Sequence, residues 1–413
     1  MFRKLLSLEE AHSAIARQVK PRALGTEEAA LLGAFDRVLA EDIVAAQDIP
    51  PFDRATVDGY AVRAQDTFGA EENRPVKLKI CGTVRTGHLS KIKVGKKQAA
   101  EIFTGAPIPE GADAVVMIEN TERKSEHIRV FSAIPKSSNM MEAGCDIKKG
   151  ETVLAKGRRL GSREIGAVAA LGIDRVKVQI MPRVAVFSTG PEVIQPGCRL
   201  APGKIYDINS YSLSAAVLKS GGKPIHLGIV KDEFSELQET LKVALKTADM
   251  VVTSGGVSVG PKDLMPKVLA SLGRSSLILS GIAVKPGKPT TVADIDGKLV
   301  YSLPGHPASA LMIFHLLVRP TIQVMAGIRP TKDPELEAVA AARMFSAKGR
   351  KTFVMVKLRG DESNGIIAEP VSKGDSGAIT TLTKADGFVE IPENVQFVDI
   401  KERITVHLFG QNL

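Results

Sequence analysis

Aromatic residues and cysteines are scarce in this chain of 413 residues. It has no tryptophan and four tyrosines, so it largely lacks the aromatic platforms on which single-stranded nucleic acids stack. Its three cysteines, Cys81, Cys145 and Cys198, are widely spaced and form no CxxC pair. This spacing argues against a structural zinc site or a disulfide framework and favours free thiols.

Long hydrophobic runs are also missing. No stretch approaches the twenty uninterrupted apolar residues of a membrane helix, and charges interrupt the N-terminus where a signal peptide would be apolar. We therefore expect a soluble, cytoplasmic protein that does not bind a membrane.

Positive charge is in excess, with a formal net charge of +9 at pH 7. Such a charge suits nucleic acid, a membrane surface or small anionic substrates. The basic residues are scattered, and the longest cluster, Lys91 to Lys97, has no interleaved aromatics. We therefore expect small anionic substrates and no nucleic acid.

The chain is longer than one hydrophobic core usually spans, so two to four domains are expected. A capping box at Ser7 predicts a helix that ends before Pro21, and Thr26 to Leu39 is predicted as a second helix. Short alternating apolar runs from Phe52 to Ile134 predict a β-rich insert, and helical spacing resumes over residues 161–173.

Strands alternate with helices from Pro182 to Ile328. The predicted strands are VAVFSTG, PIHLGIV, MVVTSGG, the short GIAV and LVYSLPG, which indicates a parallel sheet covered on both faces. Polar motifs follow these strands, and ligands bind at that edge of an open α/β sheet. After Pro330 an alternating pattern returns and predicts a small β-barrel or sandwich.

The loop TSGGVSVGPKD is the most informative of these motifs. Gly255, Gly256 and Gly260 allow the backbone to approach an anion, and Ser254 and Ser258 add hydroxyls. Asp263 closes the loop and suits a Mg²⁺ ion that bridges to phosphate oxygens. For an isolated glycine pair, a tight turn before a helix would be the better interpretation. The neighbouring polar motifs favour a phosphate site.

Seven motifs occur in order along the chain: VDGYAVR, FTGAPIPEGADAVV, STGPEV, KIYDINS, TSGGVSVGPKD, VKPGKP and SLPGHPASA. Together they resemble the molybdopterin molybdenumtransferase family, the MoeA proteins and the gephyrin E domain. The resemblance extends to ADGFVEIP and covers nearly the whole chain. It implies an elongated homodimer subunit whose active site, at the α/β domain, is completed by the partner's β-rich insert.

The fold implied is a multidomain α/β fold with four domains. They are a helical and extended N-terminal domain (1–48 and 144–180), an inserted β-rich domain (49–143), a central parallel α/β sheet domain of the molybdopterin-binding type (181–329) and a C-terminal β-barrel-like domain (330–413).

The activity implied is Mg²⁺-dependent insertion of molybdate into adenylylated molybdopterin, with release of AMP. Molybdopterin adenylyltransferase is an additional candidate partner. The residues that the resemblance places in catalysis are Asp58, Thr104, Asp146, Glu192, Asp232 and Asp263, with Glu192 and Asp263 as metal ligands. Those expected to bind the substrate are Ser188, Thr189, Gly190, Ser254, Gly255, Gly256, Ser258, Pro304, Gly305 and Pro307. Molybdate needs fixed cations, for which Lys285, Lys288 and Arg350 are expected.

Three positions depart from the family pattern. Pro191 stands where Asp is usual, which removes a carboxylate and an N–H beside Glu192, His306 stands where Asn is usual, and Val57 stands where Met is common. None of them removes a predicted metal ligand or lysine. The alternatives are an adenylyltransferase-like protein, a non-catalytic pterin-binding scaffold and a tungstate-specialised paralogue.

Overall fold

A computed structural model describes residues 5–257, 264–361, 365–371 and 379–410. Contacts between residues divide the chain into two compact units. The first unit comprises residues 1–27, 36–38 and 178–413, and the second unit comprises residues 28–35 and 39–177. The four predicted domain ranges stay predictions.

The first helix forms as its capping signals predict. Helix α1 spans Leu8–Gln18, and the Ser7 hydroxyl accepts a hydrogen bond from the Glu10 N–H at 3.1 Å while the Glu10 carboxylate accepts from the Ser7 N–H at 2.8 Å. Its buried residues Leu8, Ala11 and Ile15 join the main hydrophobic core of the first unit. This helix therefore packs with the α/β sheet.

The predicted helix from Thr26 to Leu39 is wrong. Thr26–Ala30 is a strand and Leu31–Ala34 is a single 3₁₀ turn. The Leu31 N–H donates to the Asp174 carbonyl at 3.1 Å. Tertiary pairing thus overrides the helical spacing, and Gly33 weakens a helix at this position further.

The second unit is built around a sheet of six strands in the order β7-β4-β6-β5-β9-β8. All its pairs are antiparallel except β5 with β6. The predicted β-rich insert is confirmed, and so is the helix after it. The elements of this stretch are β1 Thr26–Ala30, β2 Ile43–Val44, β3 Arg54–Ala55, β4 Gly59–Val62, β5 Val76–Val84, β6 Gln98–Ile102, β7 Ala114–Met117, β8 Thr121–Lys124, β9 His127–Val130, β10 Met140–Met141, β11 Thr152–Leu154, α2 Ser162–Ala170 and β12 Arg175–Gln179.

The α/β part of the first unit has a sheet of six strands in the order β16-β13-β17-β21-β20-β18. The first four are parallel, as predicted, while β20 and β18 continue the sheet antiparallel. The elements are β13 Arg183–Thr189, β14 Val193–Ile194, β15 Ile205–Tyr206, α3 Asn209–Lys219, β16 Lys223–Val230, α4 Phe234–Thr247, β17 Met250–Ser254, α5 Met265–Ala270, β18 Ser275–Ser280, β19 Val284–Lys285, β20 Thr291–Ile295, β21 Lys298–Leu303, α6 Pro307–Ile313 and α7 Arg319–Met325.

Each face of this sheet is covered by helices. On one face, Val186, Val252 and Tyr301 pack with residues of α3, α6 and α7. On the other, Phe187 and Val251 pack with residues of α4 and α5. Burial on both faces is typical of parallel strands and explains the near-continuous apolar runs in the sequence.

Residues Pro307–Met325 form a continuous helical segment through a π-helical turn and are apolar and long enough to cross a membrane by composition alone. Ile313, Phe314, Leu317 and Ile322 of this segment lie in the main hydrophobic core. The segment is therefore accounted for as a buried core helix.

The C-terminal region closes into a barrel of five strands in the order β24-β25-β22-β28-β26, because β26 pairs back onto β24. The predicted barrel-like domain is confirmed. Strand β19, read in the sequence as part of the α/β sheet, instead pairs with β24 through Lys351 and Thr352. The elements are β22 Glu335–Ala340, β23 Met344–Phe345, β24 Lys351–Asp361, β25 Gly365–Pro370, α8 Ile379–Lys384, β26 Gly387–Ile391, β27 Phe397–Val398 and β28 Arg403–Leu408.

Candidate active site

The carboxyl ends of the four parallel strands lie at one edge of the α/β sheet. Strand β13 ends at Thr189, β16 at Val230, β17 at Ser254 and β21 at Leu303. Of the polar motifs predicted to converge, those at Ser188, Asp232, Ser254 and Pro304 lie at or just after the ends of these strands. The lysine motif at Lys285 instead follows β19, which pairs with the barrel. This edge is where an open α/β sheet binds ligands.

The glycine loop, Gly255 and Gly256, follows β17 with φ of +95° and +65°. A Cβ on Gly255 would lie 2.0 Å from the Thr189 carbonyl oxygen, so the end of β13 leaves no room for a side chain. The Gly255 N–H donates to the Leu303 carbonyl at 3.1 Å. We had expected the Gly255 N–H to be free to bind an anion, but it is bonded to Leu303. The missing side chain of Gly255 instead lets the ends of β13 and β17 approach each other.

Two carboxylates, the acid pair Glu192 and Asp232, follow β13 and β16 at this edge. A Cβ on Gly256 would be 3.5 Å from Asp232 Oδ1, and that oxygen is buried without a hydrogen-bond partner in the part of the chain that the structure describes. Burial, followed by the negative charge of Glu192, raises the pKa of Asp232. The acid pair therefore concentrates negative charge that a cation would neutralise.

The predicted metal pair was Glu192 with Asp263. Asp263 and Ser258 lie outside the described residues. Among the described residues no cluster of three or more His, Cys, Asp or Glu side chains is placed to hold a metal. Two carboxylates are nevertheless enough for Mg²⁺ when substrate phosphates supply further oxygens.

The predicted oxyanion residues come together. Lys285, Lys288 and Arg350 line one cavity of about 730 Å³, here called the cationic cavity. Pro304 and His306, from the loop after β21, line the same cavity. Strand β19 brings Lys285 to the barrel strand that follows Arg350.

The hydroxyls of Ser188 and Ser254 are turned to protein partners. Ser188 Oγ donates to Asp207 Oδ1 at 2.7 Å, and Ser254 Oγ donates to the Pro304 carbonyl at 2.9 Å. Both residues are buried. Both hydroxyls therefore donate to protein groups, and the substrate contacts of Ser188 and Ser254 stay predictions.

Sequence reasoning gave no role to Asp207 or Asn209, which the structure places between the strand ends. Asp207 accepts from Ser188, and Asn209 Nδ2 donates to Ser254 Oγ at 2.8 Å and to the Gly305 carbonyl at 2.7 Å. The signal was the KIYDINS motif, which supported the family resemblance only.

The other predicted residues of this edge lie in its loops. Thr189 is buried, and its hydroxyl has no partner among the described residues. Gly190 has φ of +156°, and a Cβ there would lie 2.8 Å from Glu192 Oε2. Pro307 is the first residue of α6.

The second unit holds the remaining predicted residues. Asp58 Oδ1 accepts from the Thr104 N–H at 2.7 Å and from the Thr104 hydroxyl at 2.8 Å. These two hydrogen bonds, the backbone one first, lower the pKa of Asp58. Asp146 is exposed, and its N–H donates to the Ile49 carbonyl at 3.1 Å.

Comparison with known proteins identifies the chain's relatives. It is 34% identical over 371 residues to the molybdopterin molybdenumtransferase of Bacillus subtilis, covering 89% of this chain and 86% of that protein. It is 33% identical to the molybdopterin molybdenumtransferase of Haemophilus influenzae, over 99% of this chain and 100% of that protein. The chain belongs to the molybdopterin molybdenumtransferase family. The predicted family and the predicted enzyme class, a transferase of molybdenum cofactor biosynthesis, are thus confirmed.

Three family models match successive parts of the chain. Residues 6–172 match the MoeA N-terminal region (domain I and II), residues 185–324 a probable molybdopterin binding domain, and residues 337–409 the MoeA C-terminal region (domain IV). A crystal structure of the molybdopterin biosynthesis MoeA protein from Pyrococcus horikosii is 42% identical with a TM-score of 0.81, and the match covers 98% of this chain and 100% of that one. The predicted multidomain fold is confirmed by these matches.

Proposed function

We propose that the chain inserts molybdenum from molybdate into adenylylated molybdopterin and releases AMP. One observation carries this reaction. The loop after β21 serves two sites at once: the carbonyls of Pro304 and Gly305 are bonded by Ser254 and Asn209 next to the glycine loop, while Pro304 also lines the cationic cavity. An anion in the cavity would therefore sit beside a phosphate at the strand ends.

The acid pair fits a Mg²⁺ ion. Asp232 offers an oxygen without a hydrogen-bond partner among the described residues, and Glu192 lies close enough to raise the pKa of Asp232. Asp263 stays a predicted third ligand. When bound with substrate, the ion would supply charge neutralisation at the phosphate oxygens. Cleavage of the phosphoanhydride requires an oxygen of molybdate or of water to bond to phosphorus as the AMP leaves. This step depends mainly on such charge stabilisation and on alignment, so no protein nucleophile is required.

The cationic cavity would hold the oxyanion. Molybdate is a dianion, and Lys285, Lys288 and Arg350 present three positive charges to one half-open cavity, which Arg343 and Glu369 also line. The Arg350 guanidinium has paired N–H donors that suit a tetrahedral oxyanion. Tungstate has the same charge and nearly the same size, so it is the competing substrate to test.

The deciding experiment measures AMP release from adenylylated molybdopterin by the purified chain. It compares reactions with molybdate, with tungstate and with neither, each in Mg²⁺ and again after chelation. We expect release that requires Mg²⁺ and is stimulated by an oxyanion. Tight substrate binding without AMP release under any of these conditions would reject the transferase reaction. ATP-dependent AMP transfer to molybdopterin would indicate the adenylyltransferase alternative.

The homodimer, an interaction with molybdopterin adenylyltransferase and a cytoplasmic location are further proposals from the family resemblance. Asp58, Thr104 and Asp146 also keep their catalytic role as a proposal. The Asp58–Thr104 hydrogen bonds support it to the extent that they hold an ionised carboxylate in one orientation.

A further inference from the structure

The segment before and into helix α3 buries three polar side chains in succession. Asp207 is 4% exposed, Asn209 is 8% exposed and Ser210 is fully buried. Burying polar groups is unfavourable unless they are hydrogen-bonded. Their partners therefore indicate what the segment does.

Asp207 connects the end of β13 to the start of α3. Its Oδ1 accepts from Ser188 Oγ at 2.7 Å and from the Ser210 N–H at 3.1 Å, and its Oδ2 accepts from Ser210 Oγ. The Asp207 carboxylate thus fixes the start of α3 against β13, the strand that ends at Thr189. Thr189 is the residue whose carbonyl faces Gly255.

Asn209 connects two further strand ends of this edge, those of β17 and β21. Its Nδ2 donates one hydrogen bond to Ser254 Oγ at 2.8 Å and the other to the Gly305 carbonyl at 2.7 Å. Ser254 Oγ completes the connection by donating to the Pro304 carbonyl. A single amide nitrogen therefore joins the end of β17 to the loop after β21.

The chemistry of these two acceptors requires an amide. The Gly305 carbonyl only accepts, and Ser254 Oγ already donates to Pro304, so both need a donor from residue 209. A carboxylate of the same shape would face them with oxygen. The amide Oδ1 has no partner among the described residues, so the two nitrogen contacts are the polar bonds that the described structure gives this side chain.

We propose that Asn209 is a positioning residue of the phosphate site. It holds the glycine loop and the loop after β21 at a fixed separation, so that the phosphate and the cationic cavity stay aligned, and Asp207 fixes the end of β13 in the same way. The inference rests on the proposed function, because it assigns Asn209 to that same site. Displacement of reacting groups by about 1 Å can reduce an enzymatic rate by roughly a hundredfold.

The test compares Asn209→Asp with Asn120→Asp, an exposed asparagine of the second unit that undergoes the same charge change. The measurements are AMP release with varied adenylylated substrate, AMP release with varied molybdate, binding of ADP with Mg²⁺, and thermal unfolding. We expect Asn209→Asp to lower kcat/KM for the adenylylated substrate and the affinity for ADP by at least about tenfold. The molybdate concentration for half-maximal stimulation should change by a smaller factor than kcat/KM, because the loop after β21 is loosened but no cation of the cavity is removed.

A second variant keeps the inference testable if Asn209→Asp does not fold. Ser254→Ala removes the hydroxyl between Asn209 and Pro304 and should also lower kcat/KM, again with a smaller change in the molybdate requirement. Where both single variants fold, the double variant should lose less than the product of the two single effects, since the residues act through one hydrogen-bonded unit.

The outcomes separate the inference from the function it rests on. Wild type that releases AMP, with Asn209→Asp and Ser254→Ala both equal to Asn120→Asp, would overturn the positioning role alone. A second outcome is that kcat/KM for the adenylylated substrate and the affinity for molybdate fall by equal factors while the melting temperature is lowered. That outcome would show that Asn209 is only structural. Wild type that neither releases AMP nor binds ADP would reject the proposed function and this inference with it.

Discussion

The surroundings of Asp232 disfavour its ionised form. Burial and the neighbouring Glu192 raise its pKa, so the ionised form carries a cost in the free protein. A bound cation would turn that cost into attraction. Such an arrangement is common where a carboxylate serves binding or catalysis.

We therefore expect Asp232→Asn to separate activity from stability. Substitution removes a charge that is unfavourable in the free protein, so the melting temperature at pH 7 should stay equal or rise. Mg²⁺-dependent AMP release should fall at least about tenfold, and more Mg²⁺ should be required. Calorimetric unfolding and a Mg²⁺ titration of activity check both parts. A lowered melting temperature with an unchanged Mg²⁺ requirement would show that Asp232 is structural.

Lys285 is the second residue with a separable role. Lys285→Ala should raise the molybdate concentration needed for half-maximal AMP release by about tenfold or more, because a fixed cation is removed from an oxyanion site. The KM for adenylylated substrate should change less. Lys91→Ala, at an exposed position of the second unit, is the control for lost positive charge. An unchanged molybdate requirement would place the oxyanion elsewhere.

At the scale of elements, the connection between the core helix and the barrel includes a part-buried ion cluster. Asp333 accepts from His315 Nε2 and from Arg319 Nη1, both at 2.7 Å. The His315 ring also packs edge-on against Phe388 and Phe409 of the barrel region. Burial alone would raise the pKa of Asp333, but the hydrogen bonds from His315 and Arg319 outweigh it and lower the pKa to about 2.

This cluster should make stability depend on acid pH. A carboxyl whose pKa falls from 3.8 to about 2 on folding contributes roughly 2 kcal/mol at neutral pH. The contribution is present above about pH 4 and is lost as the pH falls towards 2. Asp333→Asn should therefore destabilise the first unit by about 2 kcal/mol at pH 7, and the difference from wild type should shrink below pH 4.

Urea unfolding at pH 7, 5 and 3.5 checks this dependence. Asp399→Asn is the control, because its ion pair with Arg343 is about half exposed and should matter less. A difference between Asp333→Asn and wild type that stays constant over the whole pH range would contradict the assignment.

Elements with strong local signals could be predicted from the sequence. The capping box at Ser7 and the buried run before Thr189 gave a helix and a strand where the structure has them. The strand Thr26–Ala30 was missed because its partner is distant in sequence. The orientation of the Ser254 hydroxyl could not be predicted either, since it depends on an acceptor fifty residues away.

At the scale of the whole molecule, the resemblance implies that two subunits share each active site. Asp58→Asn and Asp232→Asn should then each lose most of the activity when assayed alone. After subunit exchange a mixture should recover about a quarter of wild-type activity, because a twofold dimer of mixed subunits regenerates one of its two sites. Light scattering should give the mass of two chains. A mixture no more active than its components would mean that each site is built from one chain.

The pairing of β19 with barrel strand β24 has a consequence for thermodynamic linkage. The strand that presents Lys285 is hydrogen-bonded to the barrel, so occupancy of the cationic cavity and integrity of the barrel are coupled equilibria. An oxyanion that binds only the folded barrel raises the free energy of unfolding of the barrel. A substitution that populates the unfolded barrel lowers the apparent oxyanion affinity by the fraction of molecules that remain folded. Changes in the barrel core, remote from any reacting atom, should thus alter the molybdate concentration that the proposed reaction requires.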